Sequence, residues 1–187
     1  ISSVSSNNDT EGNDVAHTVT LSNTSSTTTN FAISFTDGTA TGGGTDYTSL
    51  LTNADFTNGV TINGAGTIIT VPAGVGSFDI NVPTTAETIF EANETYTVTV
   101  GGQAGTGTID NDDAAPGVAS VANDSSVEGV DIDMVVTMTN ASSSAETYAI
   151  SFTDVTATGG GTDYTSLLVN ADFSNGVTVN GAGDTIT

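Results

Sequence analysis

No lysine and no arginine occurs among the 187 residues, against 22 aspartates and glutamates, so the formal net charge is -22. Without a permanent cation the chain cannot neutralise phosphates, which excludes ordinary nucleic-acid binding and attachment to anionic membrane surfaces. Every carboxylate is also denied a Lys or Arg partner. Cysteine is absent, which rules out disulfides and thiolate metal sites and says nothing about compartment. No apolar run approaches the eighteen or so residues of a membrane span, so no membrane insertion is expected. Leu, Ile, Val and Phe total 42 residues, just above the roughly 20% below which a highly charged chain is expected to be disordered. Folding is therefore marginal unless something offsets the charge. No signal peptide is visible and the first residue is Ile1, so the sequence reads as a mature protein or an excerpt of a longer one.

What is present is a repeat. The hexapeptide Ala32 to Asp37 recurs at Ala149 to Asp154, Gly42 to Leu51 recurs at Gly159 to Leu168, and Asn63 to Gly66 recurs at Asn180 to Gly183. All three share an offset of 117 residues, and 43 of the 70 positions aligned at that offset are identical without a gap. Repeat 1 is residues 1–117 and repeat 2 is residues 118–187. Thr187 is the counterpart of Thr70, so repeat 2 has no counterpart of residues 71–117. Between them lies an acidic, proline-containing joint, Asp110 to Gly117, shorter and more charged than a flexible Gly/Ser tether.

Hydrophobic periodicity is two nearly everywhere. Val15, His17, Val19 and Leu21 alternate with polar neighbours, as do Phe31, Ile33 and Phe35, then Phe78, Ile80 and Val82, then Tyr96, Val98 and Val100. With Thr and Val abundant and no sustained helical stripe, this predicts an all-β fold, tandem antiparallel immunoglobulin-like sandwiches with the second copy incomplete. The strands expected in repeat 1 are residues 1–6, 15–22, 30–37, 67–72, 77–83, 94–100 and 105–110. The stretch 49–66 leaves room for an extra hairpin from Phe56 to Ile62.

If successive strands run up and down between two poles, the first, third, fifth and seventh all end at the same pole. Glu11 and Asp14 follow the first, Asp37 ends the third, Glu87 and Glu91 follow the fifth, Glu94 opens the sixth, and Asp110, Asp112 and Asp113 end the seventh. All lie at one pole, and the opposite turns carry no charge. At least six converging carboxylates with no basic partner would repel one another by on the order of several kcal/mol at low effective dielectric. A divalent cation relieves that. Oxygen-only ligands without His or Cys select a hard ion, and an irregular ligand set favours Ca²⁺ over octahedral Mg²⁺.

These residues resemble a known family. The runs TVTLSN, SFTDGTATGGGTDYT, ITVPAGVGSFDINVPTTAETIFEANETYTVTV and GTGTIDNDD look like the Calx-beta domain, particularly the tandem copies of very large, calcium-dependent bacterial surface adhesins. Nearly all of repeat 1 and the present part of repeat 2 are covered, and the most specific elements are ETIFEANETY and TIDNDD. The resemblance implies calcium ligands at the pole of the C-terminal exit: Glu11, Asp37, Glu87, Glu91, Glu94, Asp110, Asp112 and Asp113. An additional acid common in the family is Thr88 here.

Other chemistry is poorly supported. His17, the only histidine, sits on the strand face shared with Val15 and Val19 and is expected to pack in the core, with Met134 as its counterpart. A Ser/His/Asp triad would have to gather around that buried position. A carboxylate-pair hydrolase needs an acid with raised pKa in an apolar cleft, not a crowded metal-holding exit loop, so no enzyme is expected. The DNDD run lacks the glycine and the bidentate Glu of an EF-hand loop, and Asp46 and Asp163 are expected to cap turns made by the neighbouring glycines.

The leading function is a non-catalytic, calcium-stabilised extracellular spacer of a bacterial surface adhesin, at the cell surface and involved in cell adhesion or biofilm. Its partners are calcium ions and neighbouring repeats of the same chain. The alternative is a self-assembling extracellular filament or matrix subunit, completed by strand exchange with copies of itself. A glycan-binding module ranks below both, because tryptophan and any clear aromatic platform are missing.

Overall fold

The computed structural model describes all 187 residues. The chain divides into two units, Ile1–Ala115 and Pro116–Thr187, the break falling two residues before the boundary set by the repeat.

In unit 1 the alternating runs become the strands of a sandwich. One sheet has the order β1–β3–β7, formed by β1 (Ser3–Val4), β3 (Asp14–Thr20) and β7 (Ser77–Pro83). The other has the order β2–β10–β9–β4–β6–β5, formed by β2 (Asn7–Thr10), β4 (Thr29–Asp37), β5 (Thr61–Ile62), β6 (Ile68–Val71), β9 (Glu94–Val100) and β10 (Gln103–Asp110). A two-residue strand β8 (Ile89–Phe90) lies between β7 and β9. The apolar members of the alternation face inward. Val15 pairs with Val82, His17 with Ile80 and Val19 with Phe78, while Ile33, Ile69, Val71, Val98, Val100 and Ile109 supply the opposing layer. Fully burying each such side chain contributes about 1.5–3 kcal/mol, which is what fixes the register.

Two differences from the expected strands have local causes. The run expected as one strand, 1–6, is two strands that change sheets at Ser5 and Ser6. The Ser5 amide donates to the Thr18 carbonyl at 2.9 Å and its hydroxyl accepts from the Thr18 amide at 2.8 Å, whereas the Ser6 hydroxyl accepts from the Thr106 amide across the sandwich at 3.0 Å. Beyond the switch, β2 runs parallel to β10, Asn7 opposite Gly107 through Thr10 opposite Asp110. The last strand begins at Gln103 rather than 105 because Gly101 and Gly102, at φ +55° and +88°, form a two-residue hairpin turn of the primed type.

The expected 56–62 hairpin does not form. Phe56 bridges to Ile80 in one sheet, and Thr61–Ile62 pair with β6 in the other. Immediately before Phe56 the chain is held by a 3₁₀ turn at Asn53–Asp55, where Asp55 accepts from the Thr52 amide at 2.6 Å.

Beneath one pole lies an aromatic column. Tyr47 stacks on Tyr96 with centroids 4.3 Å apart and planes 16° apart, Phe35 tilts against both, and His17 meets Tyr96 edge-on at 5.7 Å. His17 is fully buried, as its strand position predicts. Its Nδ1 lies 2.8 Å from the Ser5 carbonyl, which can only accept, so Nδ1 carries the proton and Nε2 accepts from the Tyr96 hydroxyl at 3.0 Å. Gly107 is glycine for a packing reason: a Cβ there would stand 2.2 Å from Tyr96 Cζ.

Unit 2 contains β11 (Val118–Val121), β12 (Val136–Met138), β13 (Ala141–Ser142), β14 (Tyr148–Ala149), β15 (Thr185–Ile186) and a 3₁₀ turn at Asn170–Asp172. β11 pairs with β12 and β14 with β15, both antiparallel.

Candidate metal centre

The pole above the aromatic column is built by strand ends. β2, β4, β7 and β10 finish there and β3 and β9 start there, as the pairings Thr10 with Asp110, Asp37 with Tyr96, Asp14 with Pro83 and Glu94 with Ile109 require. Glu11 is the hub. It follows β2 at a corner made by Gly12, whose φ of +77° is the left-handed conformation that glycine adopts without strain. Its amide donates to the Asp110 carbonyl at 3.0 Å, so the side chain turns inward and is buried. One carboxylate oxygen accepts from the Glu87 amide at 3.0 Å and the other lies 3.4 Å from the Asp112 amide, tying two loops to one acid.

Around that hub, carboxylate oxygens of Glu11, Asp112 and Asp113 lie within 4.8 Å of one another. Asp113 Oδ2 is buried with no hydrogen-bond donor. A shielded anionic oxygen without a partner is unfavourable in a chain lacking Lys and Arg, and it suits a cation ligand. A cleft of about 120 Å³ opens beside the triad, lined by Glu11, Asp46, Glu87, Glu91, Glu94 and Asn111. Crowding shows in its acids. The Glu94 carboxyl is pushed up to about 7, first by loss of hydration and then by Asp46, Glu91 and Glu87. Glu87 and Glu91 are also raised, by loss of hydration ahead of their carboxylate neighbours. An all-oxygen donor set of this irregular kind fits a hard divalent cation of the calcium type.

Of the eight acids singled out in the sequence, six converge on this region: Glu11, Glu87, Glu91, Glu94, Asp112 and Asp113. Two are engaged elsewhere. Asp37 Oδ1 accepts from the Tyr47 hydroxyl at 2.6 Å and the Gly42 amide at 3.0 Å, so it anchors the loop after β4 and does not line the cleft. Asp110 alternates out of phase with buried Ile109, and its two oxygens accept from the Asn8 and Asn93 side-chain amides on the outer face. Asp14, at the start of β3, pairs with Pro83 and is exposed.

Sequence reasoning missed two residues. Asp46 does cap its turn, accepting from the Thr41 amide at 2.6 Å, yet it also lines the cleft, where its charge helps to raise the Glu94 carboxyl. The available signal was that its loop leaves from Asp37, already at the acidic pole. Asn111 accepts from the Glu91 amide at 3.3 Å and donates to the Asp113 carbonyl at 3.1 Å, joining the two acidic loops.

An immunoglobulin-like sandwich with acids gathered where its last strand exits is the class that this architecture defines. The sequence pattern of the Calx-beta domain matches residues 4–125 and again 112–182, well over half of the chain, and the protein belongs to that family. Solved structures to which the chain is similar include a crystal structure of CBD12 from CALX1.2, at 17% identity over 63% of this chain and 48% of that one, with a TM-score of 0.45. Another is a crystal structure of calcium binding domain CBD12 of CALX1.1, at 17% identity over 66% of this chain and 50% of that one, with a TM-score of 0.43. The chain thus spans about half the length of those structures. No curated protein matches the sequence.

Proposed function

We propose that unit 1 is a non-catalytic module that binds Ca²⁺ at its exit pole, within an extracellular spacer of a bacterial surface adhesin at the cell surface. The observation that carries this reading is the carboxylate triad of Glu11, Asp112 and Asp113 with its shielded, unpartnered Asp113 oxygen, in a chain with no basic side chain to neutralise it. Those three residues hold one ion. Asp46, Glu87, Glu91 and Glu94 border the adjoining cleft, where a second ion would be held. Asp37 and Asp110 act as positioning groups, fixing the β4 loop and the β10 exit.

The mechanical role follows from place in the chain. The ligands Asp112 and Asp113 stand immediately before Ala114–Gly117, so the ion that neutralises the pole also stiffens the start of the joint to the next repeat. Isothermal titration of the chelated protein tests the binding. Saturable uptake of Ca²⁺ at about 0.1–1 mM is expected for an extracellular module, and Asp112→Asn with Asp113→Asn should weaken it. No heat beyond dilution would sink the proposal. Small-angle scattering tests the spacer role: the maximum dimension should change when chelator is added, and an unchanged value counts against it.

A further inference from the structure

Four Asn-Gly pairs occur in the chain, Asn58–Gly59, Asn63–Gly64, Asn175–Gly176 and Asn180–Gly181, and all four asparagines are exposed. Such a pair can modify itself. The glycine nitrogen attacks the asparagine carboxamide carbon, a cyclic imide forms as ammonia leaves, and water opens the imide to aspartate or isoaspartate. Glycine is the least hindered successor because it carries no Cβ. In sequence the four pairs are equivalent, but the fold separates them.

Asn58 and Gly59 are the central residues of a turn closed by the Val60 amide on the Thr57 carbonyl at 3.3 Å, with φ of +57° and +73°. This is the type I′ arrangement, whose first central residue has ψ of about +30°. At that ψ the next nitrogen points away from Cβ, so it cannot reach the carboxamide carbon without undoing the turn. The Asn58 side chain is also tied down, its Nδ2 donating to the Ser77 carbonyl at 2.7 Å. Asn175 and Gly176 repeat the turn at φ of +56° and +77°, with the Val177 amide on the Ser174 carbonyl at 3.3 Å.

Asn63 lies outside the left-handed region. Its Oδ1 accepts from the Thr67 amide at 2.9 Å and from the Ile68 amide at 3.0 Å. Both donors are held in place, since the Thr67 carbonyl accepts from the Ile33 amide at 3.0 Å and Ile68 opens β6 opposite Ala32. Attack on the carboxamide carbon drives negative charge onto Oδ1, where two fixed amides already point, and such preorganised donors stabilise an oxyanion. The departing Nδ2 has an uncharged neighbour, donating to the Thr67 hydroxyl at 3.4 Å. Asn180 repeats the frame with one change. Its Oδ1 accepts from the Asp184 and Thr185 amides at 3.1 and 3.3 Å, but its Nδ2 donates to the Asp184 carboxylate at 2.7 Å. A carboxylate beside a developing oxyanion opposes it.

We infer that Asn63 is a self-modification site, converted through a cyclic imide to aspartate or isoaspartate in the folded protein, with Asn180 a slower second site and Asn58 and Asn175 protected. The bond from the Gly64 nitrogen to Cγ forms and the Cγ–Nδ2 bond breaks. The Gly64 amide proton leaves with Nδ2 as ammonia, and one water adds across an imide C–N bond, with nothing oxidised or reduced. An aspartate at 63 keeps the same two amide donors, now in charge-assisted hydrogen bonds. The loop between β5 and β6 therefore gains a negative charge without losing its turn.

The test ages the full chain at mildly alkaline pH in ¹⁸O-labelled water and locates aspartate and isoaspartate by tandem mass spectrometry of chymotryptic peptides. Asn63 should convert at least about tenfold faster than Asn58, with label incorporated and isoaspartate present, while in urea the two rates converge. Thr67→Asp, which installs the residue that unit 2 carries at 184, should slow Asn63 about threefold or more, and Asp184→Thr should speed Asn180 by a similar factor. Equal rates at Asn58 and Asn63 in the folded chain overturn the inference, as does a preference for Asn63 that survives in urea. Conversion without isoaspartate overturns the imide route, and exchanges at 67 and 184 that move neither rate overturn the ranking of Asn63 above Asn180.

Discussion

In unit 1 Asp37 accepts from the Tyr47 hydroxyl at 2.6 Å and the Gly42 amide at 3.0 Å; in unit 2 Asp154 accepts from Tyr164 at 2.6 Å and Gly159 at 2.9 Å. Asp46 and Asp163 close their turns alike, and Asn53 and Asn170 accept from the amides of Ile62 and Val179 at the same 2.8 Å. Yet Tyr47 is fully buried against Tyr96, while Tyr164 is only half-buried and has no such ring above it. Turn chemistry spans a few residues and closes wherever the residues occur. Burial and long strands depend on partners sixty or more positions away, such as Ile80 for His17, and do not arise without them.

The largest effect expected from breaking this contrast is at the tyrosines. Tyr47→Ala removes a buried, stacked ring and should cost unit 1 about 3–5 kcal/mol, whereas Tyr164→Ala should cost unit 2 less than about 1 kcal/mol. Urea unfolding followed by probes in each unit measures both, and equal losses would mean the units are packed alike. Calcium should sharpen the contrast next. Each site filled at ten to a hundred times its dissociation constant adds about 1.4–2.7 kcal/mol, so chelation should lower the unfolding midpoint of unit 1 and leave unit 2 unmoved. Then comes His17→Met, which installs the residue of unit 2 in unit 1. It leaves the Ser5 carbonyl and the Tyr96 hydroxyl without partners, at about 1–3 kcal/mol, and Tyr96→Phe in the same background should recover part of that.

The smallest effect is on pH. Glu94 is raised from 4.5 to about 7 in the folded state, so the native protein binds the proton more tightly than the unfolded chain. That stabilising contribution is full below about 4.5 and is lost as pH rises through about 7, in the absence of metal. His17 acts the other way, because burial lowers it from 6.5 and its contribution is lost as the medium becomes more acidic than that. Comparing the native chain with Glu94→Gln holds His17 constant. The variant should lose less stability between pH 5 and pH 7, and identical slopes would remove Glu94 from the crowded cleft.

Much of the sandwich was legible because its strands are half-buried. The period of two in Ser77–Pro83 and Glu94–Val100 matches the bounds of β7 and β9, and the buried position of His17 follows from Val15 and Val19 beside it. The switch at Ser5–Ser6 was not legible, since the choice of sheet is made by hydrogen bonds to Thr18 and Thr106, distant in sequence. At the site, counting strand ends placed the acids at one pole but could not say which way each side chain turns there. Asp110 turns outward because Ile109 turns inward, and Asp37 is taken by Tyr47, a contact that depends on the loop folding back. Asp46 was hidden for the opposite reason, having an adequate local role as a turn cap.

The parallel run of β2 beside β10 gives the exit of unit 1 a mechanical character. Its second and last strands point the same way, four residue pairs in register from Asn7–Gly107 to Thr10–Asp110. A pull on the two ends of the unit slides these strands past each other, so that their bonds share the load together instead of opening one at a time as a zipper would. The side-chain clasp from Asn8 to Asp110 and the Glu11 amide on the Asp110 carbonyl lie in that same seam. Rupture under tension therefore has to break the same seam that holds Asp110 and Glu11 in place.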